Sequence, residues 1–380
     1  MKTRICLALA LPALLAALPL AAQSRLNGNT FGLFGNDADN FMDPNDYGTV
    51  DIPEFFSTIQ YDADFQSAYH TTSTTPGKPG GMGEDILSAG YARYFNGTYL
   101  GLSFEGNLYE QYWSPGPDAY TIYDSLTALI GTESIGGIIV NVGYEYNKQQ
   151  PSGVSAGGLI LGGGWGKNFP LANGMLLKPE VGLVYSKVDL AGLGSMAAAL
   201  AGFDYILAGA VGADLELNSG KGAAPTVSLN YTFAYFDVFD SALLNLLSAS
   251  YSNTYDLNDR FSAGFGFGLD IGFSTIKVSS TLKQSTTVIA PNALAGFTYK
   301  FNSPFSVNAG IKASYDLFTL NNTKTGGTST SNTTIGGFNV QTSAGGSFQP
   351  HESLAIDFSY ATTPYTADMG NLTLGVRFKK

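Results

Sequence analysis

The sequence predicts an all-β fold: a transmembrane, antiparallel, up-and-down β-barrel of about 16 strands. Two observations support this prediction. The N-terminus has the composition of an export signal, and apolar and polar residues alternate with period two from residue 55 to the C-terminus. Strands with one apolar and one polar face are required when the outside of a barrel contacts lipid and its inside contacts water.

The N-terminal segment 1–22 is interpreted as a cleaved signal peptide. Lys2 and Arg4 precede an apolar run that is too short to span a bilayer, and small residues come directly before Gln23. The single cysteine, Cys6, lies inside this segment. The mature chain is therefore expected to lack cysteine, which excludes disulfides, thiolate metal sites and cysteine nucleophiles.

The composition after the signal argues against helical membrane proteins and nucleic-acid binders. No uninterrupted apolar run of transmembrane length follows the signal, so no transmembrane helix is expected. The chain contains 47 Gly, 22 Tyr and 25 Phe but only 13% charged residues, a mixture that favours many short strands with aromatic girdles. The net charge of −11 would repel phosphate groups, which excludes a nucleic-acid partner.

The clearest alternation runs through 305–317, where one face is apolar and the other carries Ser306, Asn308, Lys312 and Asp316. The same alternation elsewhere in the chain predicts 16 strands in total, and ambiguity within 260–301 also allows 14. The predicted strands are 55–68, 86–95, 98–112, 119–130, 135–147, 155–168, 175–189, 204–217, 227–235, 260–273, 276–288, 290–301, 305–317, 334–348, 354–360 and 371–378.

The lengths of the predicted connections alternate, as they do in single-chain bacterial barrels. An even strand number also returns both termini to one side. Tight connections are expected on the periplasmic side, at 96–97, 302–304 and 349–352. Longer connections are expected on the opposite side, at 69–85, 190–203, 240–259 and 319–333.

The last strand ends in Gly375-Val376-Arg377-Phe378. Through this ending, the signal peptide and the alternating strands, the chain resembles bacterial outer-membrane β-barrels of the porin-like type. The resemblance implies an outer-membrane location, contact with membrane lipid, and recognition of Phe378 as an assembly signal by the barrel-assembly machinery. The chain departs from the pattern by adding Lys379 and Lys380 after the aromatic residue.

The predicted domain organisation is a signal peptide at 1–22, an acidic leader at 23–54 and the barrel at 55–380. The alternative fold is a secreted soluble sandwich or propeller, in which the two strand faces would be core and solvent. Aromatic residues near strand ends, such as Tyr299, Phe301 and Tyr315, favour a barrel because they fit the two bilayer interfaces.

One sequence motif has the spelling of a hydrolase nucleophile elbow. Residues 153–157 read Gly-Val-Ser-Ala-Gly, but this motif requires a strand-to-helix turn and a nearby histidine. It lies between two predicted strands, and His70 and His351 are expected on opposite sides of the barrel. The sequence therefore predicts that the protein is not an enzyme.

The leader contains a near match to a calcium-binding loop. Gly48 lies at the sharp turn, whereas Tyr47 replaces a usual oxygen ligand and Pro53 disfavours the helix that normally follows. The preferred interpretation is an acidic, turn-rich leader, the alternative is a calcium site, and no other cofactor is expected. The four candidate ligands are Asp43, Asn45, Asp51 and Glu54.

Two apolar segments, 191–201 and 240–250, are predicted to form short helices at the barrel rim or folded into its mouth. Packing of loops is the first interpretation. The alternative is an apolar entry site for a lipid-like substrate, with Leu243 to Leu247 in front of an apolar pocket.

The alternation assigns more acidic than basic residues to the barrel interior. The leader is too short to resemble the plug domain of large transporters. A mildly cation-selective channel for passive diffusion of small hydrophilic solutes is therefore predicted. The alternatives are a transporter of hydrophobic compounds and a closed structural or adhesive barrel. The predicted lining residues are Asp62, Asp64, Glu105, Glu145, Lys178, Glu180, Asp214, Glu216, Lys300, Lys312, Asp316, Asp357 and Arg377.

Overall fold

The computed structural model is dominated by long antiparallel β-strands. Among the residues it describes, the single helical element is a 3₁₀ turn at Ala172–Gly174. The same residues include no helix long and apolar enough to cross a membrane. The described residues are 54–64, 81–112, 119–149, 154–189, 205–217, 225–236, 242–279, 282–301, 304–324, 329–351, 353–362 and 368–379.

The described strands are β1 (Glu54–Asp64), β2 (Gly81–Phe95), β3 (Thr98–Tyr112), β4 (Ala119–Thr132), β5 (Gly136–Gln149), β6 (Val154–Gly166), β7 (Phe169–Pro170), β8 (Leu176–Asp189), β9 (Tyr205–Glu216), β10 (Thr226–Phe236), β11 (Ala242–Asn258), β12 (Phe261–Ser279), β13 (Leu282–Lys300), β14 (Phe305–Lys324), β15 (Ser329–His351), β16 (Leu354–Thr362) and β17 (Asp368–Lys379).

Sixteen of these strands form a closed ring. Each long strand pairs antiparallel with the long strands before and after it, and β6 pairs with β8 because β7 is only two residues long. The first strand pairs with the last, from Glu54 opposite Lys379 to Asp64 opposite Asp368. The predicted 16-stranded up-and-down barrel is therefore confirmed.

The strand registers fix the dimensions of the barrel. We trace the register partners of Thr58 on β1 around the barrel in both directions until they meet on β13. Through β2 to β12 the last partner is Gln284. Through β17 to β14 the last partner is Lys300, and the offset of 16 residues between the two end points is the shear of the barrel. A shear of 16 over 16 strands corresponds to a tilt of about 35° and a backbone radius of about 15 Å.

Both chain ends of the barrel and the three connections predicted to be tight lie at one end, which we call the lower end. Glu54 and Lys379 are paired there. The Asn96-Gly97 turn lies at the same end, and its positive φ values of 49° and 80° suit a two-residue hairpin. The β13–β14 and β15–β16 connections are also at this end. The three tight connections predicted for one side therefore do share a side.

The prediction for 240–259 is wrong. The sequence predicts a loop here, with a short helix at 240–250, but Ala242–Asn258 is the 17-residue strand β11. Leu243 and Leu247 lie on its outer face, whereas Leu244 and Leu246 lie on its inner face. Since both faces are apolar over these residues, the period-two signal disappears, and apolar composition alone suggests a helix.

A second error falls in 276–301. The sequence predicts two strands, but Leu282–Lys300 is a single strand, β13, and β12 continues to Ser279. The ladder between β13 and β14 is interrupted near Pro291 and resumes in the same register at Asn292. A proline has no N–H to donate, so the interruption is local and does not end the strand. The missed strand and the split strand offset each other, which is why the total is correct.

The upper end of the barrel is uneven. Strands β12 to β15 contain 19, 19, 20 and 23 residues, whereas β16 contains nine. β15 pairs with β16 only from Thr342 to His351, although its pairing with β14 continues to Ser329. Four strands therefore form a wall that extends beyond the other described strands, and residues 329–341 have no described strand on the β16 side.

Candidate functional site

The two faces of each strand differ in chemistry and exposure. On β5, the side chains of Ile138, Val140, Val142 and Tyr144 are 45%, 52%, 46% and 52% exposed. The intervening Asn141 is less exposed and donates a hydrogen bond to Thr127 Oγ1 (2.6 Å) on the neighbouring strand. Large apolar side chains therefore cover the outer face of the barrel, and smaller polar groups face its interior.

Aromatic side chains form a belt at each end of the outer face. In the lower belt, the Phe301 ring lies 5.0 Å from that of Tyr299 and 5.9 Å from that of Phe305 (centroid distances). In the upper belt, Tyr185 and Tyr235 each lie 5.9 Å from Tyr205. The lower belt contains Phe261, Tyr299, Phe301 and Phe305, and Phe297 and Phe358 pack against it from nearer mid-height.

The spacing of the belts matches a bilayer. On β14, Phe305 of the lower belt and the outward Tyr315 are ten residues apart, which is about 28 Å along the axis of a barrel tilted by about 35°. An apolar band of about 25 Å between aromatic girdles is typical of outer-membrane barrels. The protein is an outer-membrane β-barrel. Tyr315 and its neighbours mark the upper membrane boundary.

Comparisons with solved structures give matches at low identity. A bacterial polysaccharide outer membrane secretin matches at 11% identity and a TM-score of 0.46, covering 87% of this chain and 99% of that chain. CdiB from Acinetobacter baumannii matches at 10% identity and 0.49, covering 87% and 60%. The ferric enterobactin receptor PfeA from Pseudomonas aeruginosa matches at 8% and 0.38, covering 87% and 82%. No protein-family model matches the barrel, and no curated protein does.

The predicted lining residues with described side chains all lie on the inner face of the barrel. They are Glu105, Glu145, Lys178, Glu180, Asp214, Glu216, Lys300, Lys312, Asp316 and Asp357. The side chains of Asp62, Asp64 and Arg377 are outside the described part, but the registers of β1 and β17 give their positions. The structure therefore places this set on one face of the sheet, and a role in lining a pore stays a prediction.

One cluster of inner charges combines a lysine with two acids. Lys178 Nζ and Glu216 Oε1 form an ion pair at 2.5 Å, and the side chains are 23% and 44% exposed. Asp214 is the register partner of Lys178 on β9. Because of the strand tilt, each register partner lies about one residue higher along the barrel axis than the one on the preceding strand. With this offset, these three residues lie slightly below the middle of the apolar band. Lys178 offsets part of the negative charge at this level.

A second set of inner charges is acidic. We call Glu145, Asp270 and Asp316 the mouth acids: each lies on the inner face close to the height of Tyr315 at the upper membrane boundary. The register also places Asp62 opposite Glu84 near this height. No basic residue of the described inner face lies at this level. The upper opening therefore carries concentrated negative charge.

Sequence reasoning missed Asp270 and Glu84. Asp270 lies on the same face of β12 as Gly264, Gly266 and Gly268, and this face points to the interior of the barrel. The aromatic residues between them clearly belong to the outer face, so the alternation could have identified Asp270. It was missed because glycines give no polar signal of their own.

The middle of the inner wall is lined by asparagine side chains that lie over glycines. A Cβ atom at Gly268 would be 2.6 Å from Asn292 Oδ1, and one at Gly345 would be 2.8 Å from Asn308 Oδ1. Asn292 Nδ2 donates to Asp270 Oδ2 at 3.2 Å. These contacts hold the amides against the wall, so they add neutral hydrogen-bonding groups without projecting far into the lumen.

An apolar patch interrupts the polar wall near the upper end. Its buried core is Phe236, Ala234, Ala208 and Ala242, with exposures of 1%, 1%, 8% and 2%. Side chains packed against this core are Ile206, Leu244 and Ile276. The apolar residues predicted at 240–250 thus contribute to an inner-wall patch, although as part of a strand.

The other sequence motifs form no site within the described part of the chain. Asp43, Asn45 and Asp51 lie outside the described residues, as does segment 191–201, and Glu54 is the first residue of β1. No group of three metal-ligating side chains occurs in the described part of the chain. β6 begins at Val154, so Ser155 lies within a strand and not at a strand-to-helix turn. Phe378 pairs with Phe55 and Leu354 at the lower end.

Proposed function

We propose that the barrel is a channel for passive diffusion of small hydrophilic solutes, with mild cation selectivity. The observation that supports this function best is the ring of mouth acids on the inner face of a 16-stranded barrel. Barrels of this size leave an aqueous channel unless a segment fills them. Neutral amides and glycines along the middle of the wall would leave that channel hydrophilic and wide.

Cation selectivity follows from the uneven distribution of charge along the axis. Lys178 offsets acids in the middle of the wall, whereas the mouth acids concentrate negative charge at the upper opening. A ring of carboxylates concentrates cations and excludes anions within about a Debye length, which is about 10 Å at 0.1 M salt. The upper opening would therefore set the ion preference of the channel.

The experiment that tests this function is single-channel recording of the refolded mature protein in a planar bilayer. Stepwise conductance and a reversal potential of the cation-selective sign are expected under a salt gradient. Anion selectivity would contradict the assignment of the mouth acids. The absence of conductance from folded protein would favour the closed structural or adhesive barrel.

A second function, transport of hydrophobic compounds, is favoured by the apolar patch around Phe236. Such a patch at the upper opening could bind the apolar part of an entering molecule. If it does, Leu244→Ser should reduce uptake of an apolar dye into proteoliposomes while leaving the diffusion of a small sugar unchanged. Leu243→Ser, on the outer face of the same strand, is the matched control. Equal effects of the two substitutions would argue against this function.

A diffusion channel of this kind needs no chemical reaction, metal or cofactor. The expected partners are outer-membrane lipid around the apolar band, small solutes in the lumen, and the barrel-assembly machinery through Phe378. Recognition of Phe378 is implied by the resemblance to porin-like barrels. Phe378 pairs with Phe55 where the first and last strands meet, which is where the barrel closes at the end of assembly.

A further inference from the structure

The upper part of β15 has an open edge. Residues 329–341 pair with β14 but have no described partner on the other side, because β16 ends at Thr362 opposite Thr342. An open edge presents backbone N–H and C=O groups that can pair with an added strand. The edge starts near the upper membrane boundary and extends about 25 Å beyond it.

The sequence of this edge lacks the features that normally prevent strand addition. Natural edges are blunted by charged residues, prolines or short length. No charged residue occurs from 329 to 350, and no proline occurs from 329 to 349. Ile335 and Phe338 are 62% and 67% exposed. The edge is therefore long, uncharged and accessible in the described structure.

The short connection beside the edge cannot cover it. Only five residues, 363–367, join the end of β16 to β17. Five extended residues span about 17 Å, and they must also turn back toward β17. The open edge is 13 residues long, or about 43 Å when measured along the strand. Most of it lies beyond the reach of this connection.

A second copy in the same membrane also does not fit. Two identical edges can pair in a sheet only when the strands run antiparallel. Copies inserted in one membrane have the same orientation, so their β15 strands point the same way. Pairing of these edges between neighbouring barrels is therefore excluded by geometry.

The charge around the open edge defines the partner that fits. The chain carries a net charge of −11, and Asp316 faces inward on β14 close to the edge. Across the gap above β16 and β17, the register places Asp62 opposite Glu84 and pairs Asp64 with Asp368. An added strand carrying lysine or arginine would pair with β15, and the cations in its lower part would lie at the height of these acids.

We propose that residues 329–341 form a docking edge for an extended, positively charged peptide segment of an extracellular partner. The segment adds to β15 as an antiparallel strand. Main-chain hydrogen bonds supply the register, and the acids near the upper opening supply the preference for positive charge. This interaction is independent of whether the barrel conducts.

The test uses full-length mature protein refolded in detergent and a fluorescent 12-residue peptide that alternates lysine with valine. Saturable binding is expected by thermophoresis. A version of the peptide with N-methyl groups on alternate residues keeps its charge but loses the donors of one edge, and it should bind at least tenfold more weakly. A glutamate version should not bind.

A matched pair of variants locates the interaction. Asn339→Lys adds an inner-face charge beside the open edge and should weaken binding of the lysine peptide about fivefold by repulsion. Asn339→Gln should bind normally. Equal binding of the N-methylated peptide would overturn strand addition, and equal binding of the glutamate peptide would overturn the charge preference. If only a variant with a shortened 65–80 segment binds the peptide, the chain's own segment occupies the edge and the proposal is wrong.

Discussion

Neutralising the mouth acids should weaken cation selectivity in a salt-dependent way. The change is Glu145→Gln with Asp270→Asn and Asp316→Asn, which removes three inward charges close to one level of the barrel. The amide at position 270 still offers an oxygen to Asn292, which donates to Asp270 at 3.2 Å. The substitution therefore changes charge without removing this hydrogen-bond acceptor.

The size of the effect follows from the barrel radius. If an ion passes about 10 Å from each carboxylate, one charge in water contributes about 0.4 kcal/mol before screening. Screening reduces this to about 0.3 kcal/mol at 0.01 M salt and about 0.15 kcal/mol at 0.1 M. Three charges then enrich cations about 4.5-fold at the lower salt and about twofold at the higher salt. The triple variant should lose these factors.

Reversal potentials at the two salt concentrations measure this loss directly. Asp124→Asn is the control, because Asp124 lies at a similar height but on the exposed outer face of β4. It should leave the reversal potential unchanged. If the triple variant keeps the original reversal potential at 0.01 M salt, or if the control shifts it equally, the assignment of the inner charges is refuted.

Three other predictions concern stability, assembly and calcium binding. Leu229→Arg, on the outer face, should destabilise the barrel by about 2–4 kcal/mol, whereas Ser228→Arg on the inner face should fold normally in urea titrations. Phe378→Ala should lower the yield of folded protein, which is measured by heat-modifiable migration in detergent gels, whereas Lys380→Ala should leave the yield unchanged. Equal yields for the two variants would contradict a role of Phe378 as an assembly signal. Added calcium should leave the melting temperature of the mature protein unchanged, because we interpret 43–54 as a plain acidic leader, and a rise would indicate binding to the folded state.

The fold is predictable from sequence where one strand face is polar and the other apolar. On β14, Lys312 and Asp316 alternate with Ile311 and Tyr315, so residues 305–317 and the two strand faces are predicted correctly, although β14 continues to Lys324 into the predicted 319–333 loop. On β11 the same reasoning fails, because leucines occupy both faces near its upper end. An apolar inner wall removes the contrast between the two faces that makes a strand recognisable.

The inner charges are predictable, but their arrangement along the axis is not. Alternation gives the face of a residue, and it carries no information on height. The heights of Glu145 and Asp316 become comparable only when the registers of the intervening strands and the shear are known. For the same reason, the open edge of β15 could not be inferred: it depends on where the neighbouring β16 ends, at Thr362.

The seam between β1 and β17 has a kinetic consequence. Glu54 is the register partner of Lys379 across 325 positions of sequence, so the hydrogen-bonded ring cannot be completed until β17 is available to pair with β1. Closing a flexible loop of that length costs about 5 kcal/mol of chain entropy. Until closure, both terminal strands expose unsatisfied backbone edges that hydrocarbon would not tolerate. Insertion and closure should therefore be concerted, and a chain that loses β17 should aggregate before it reaches the bilayer.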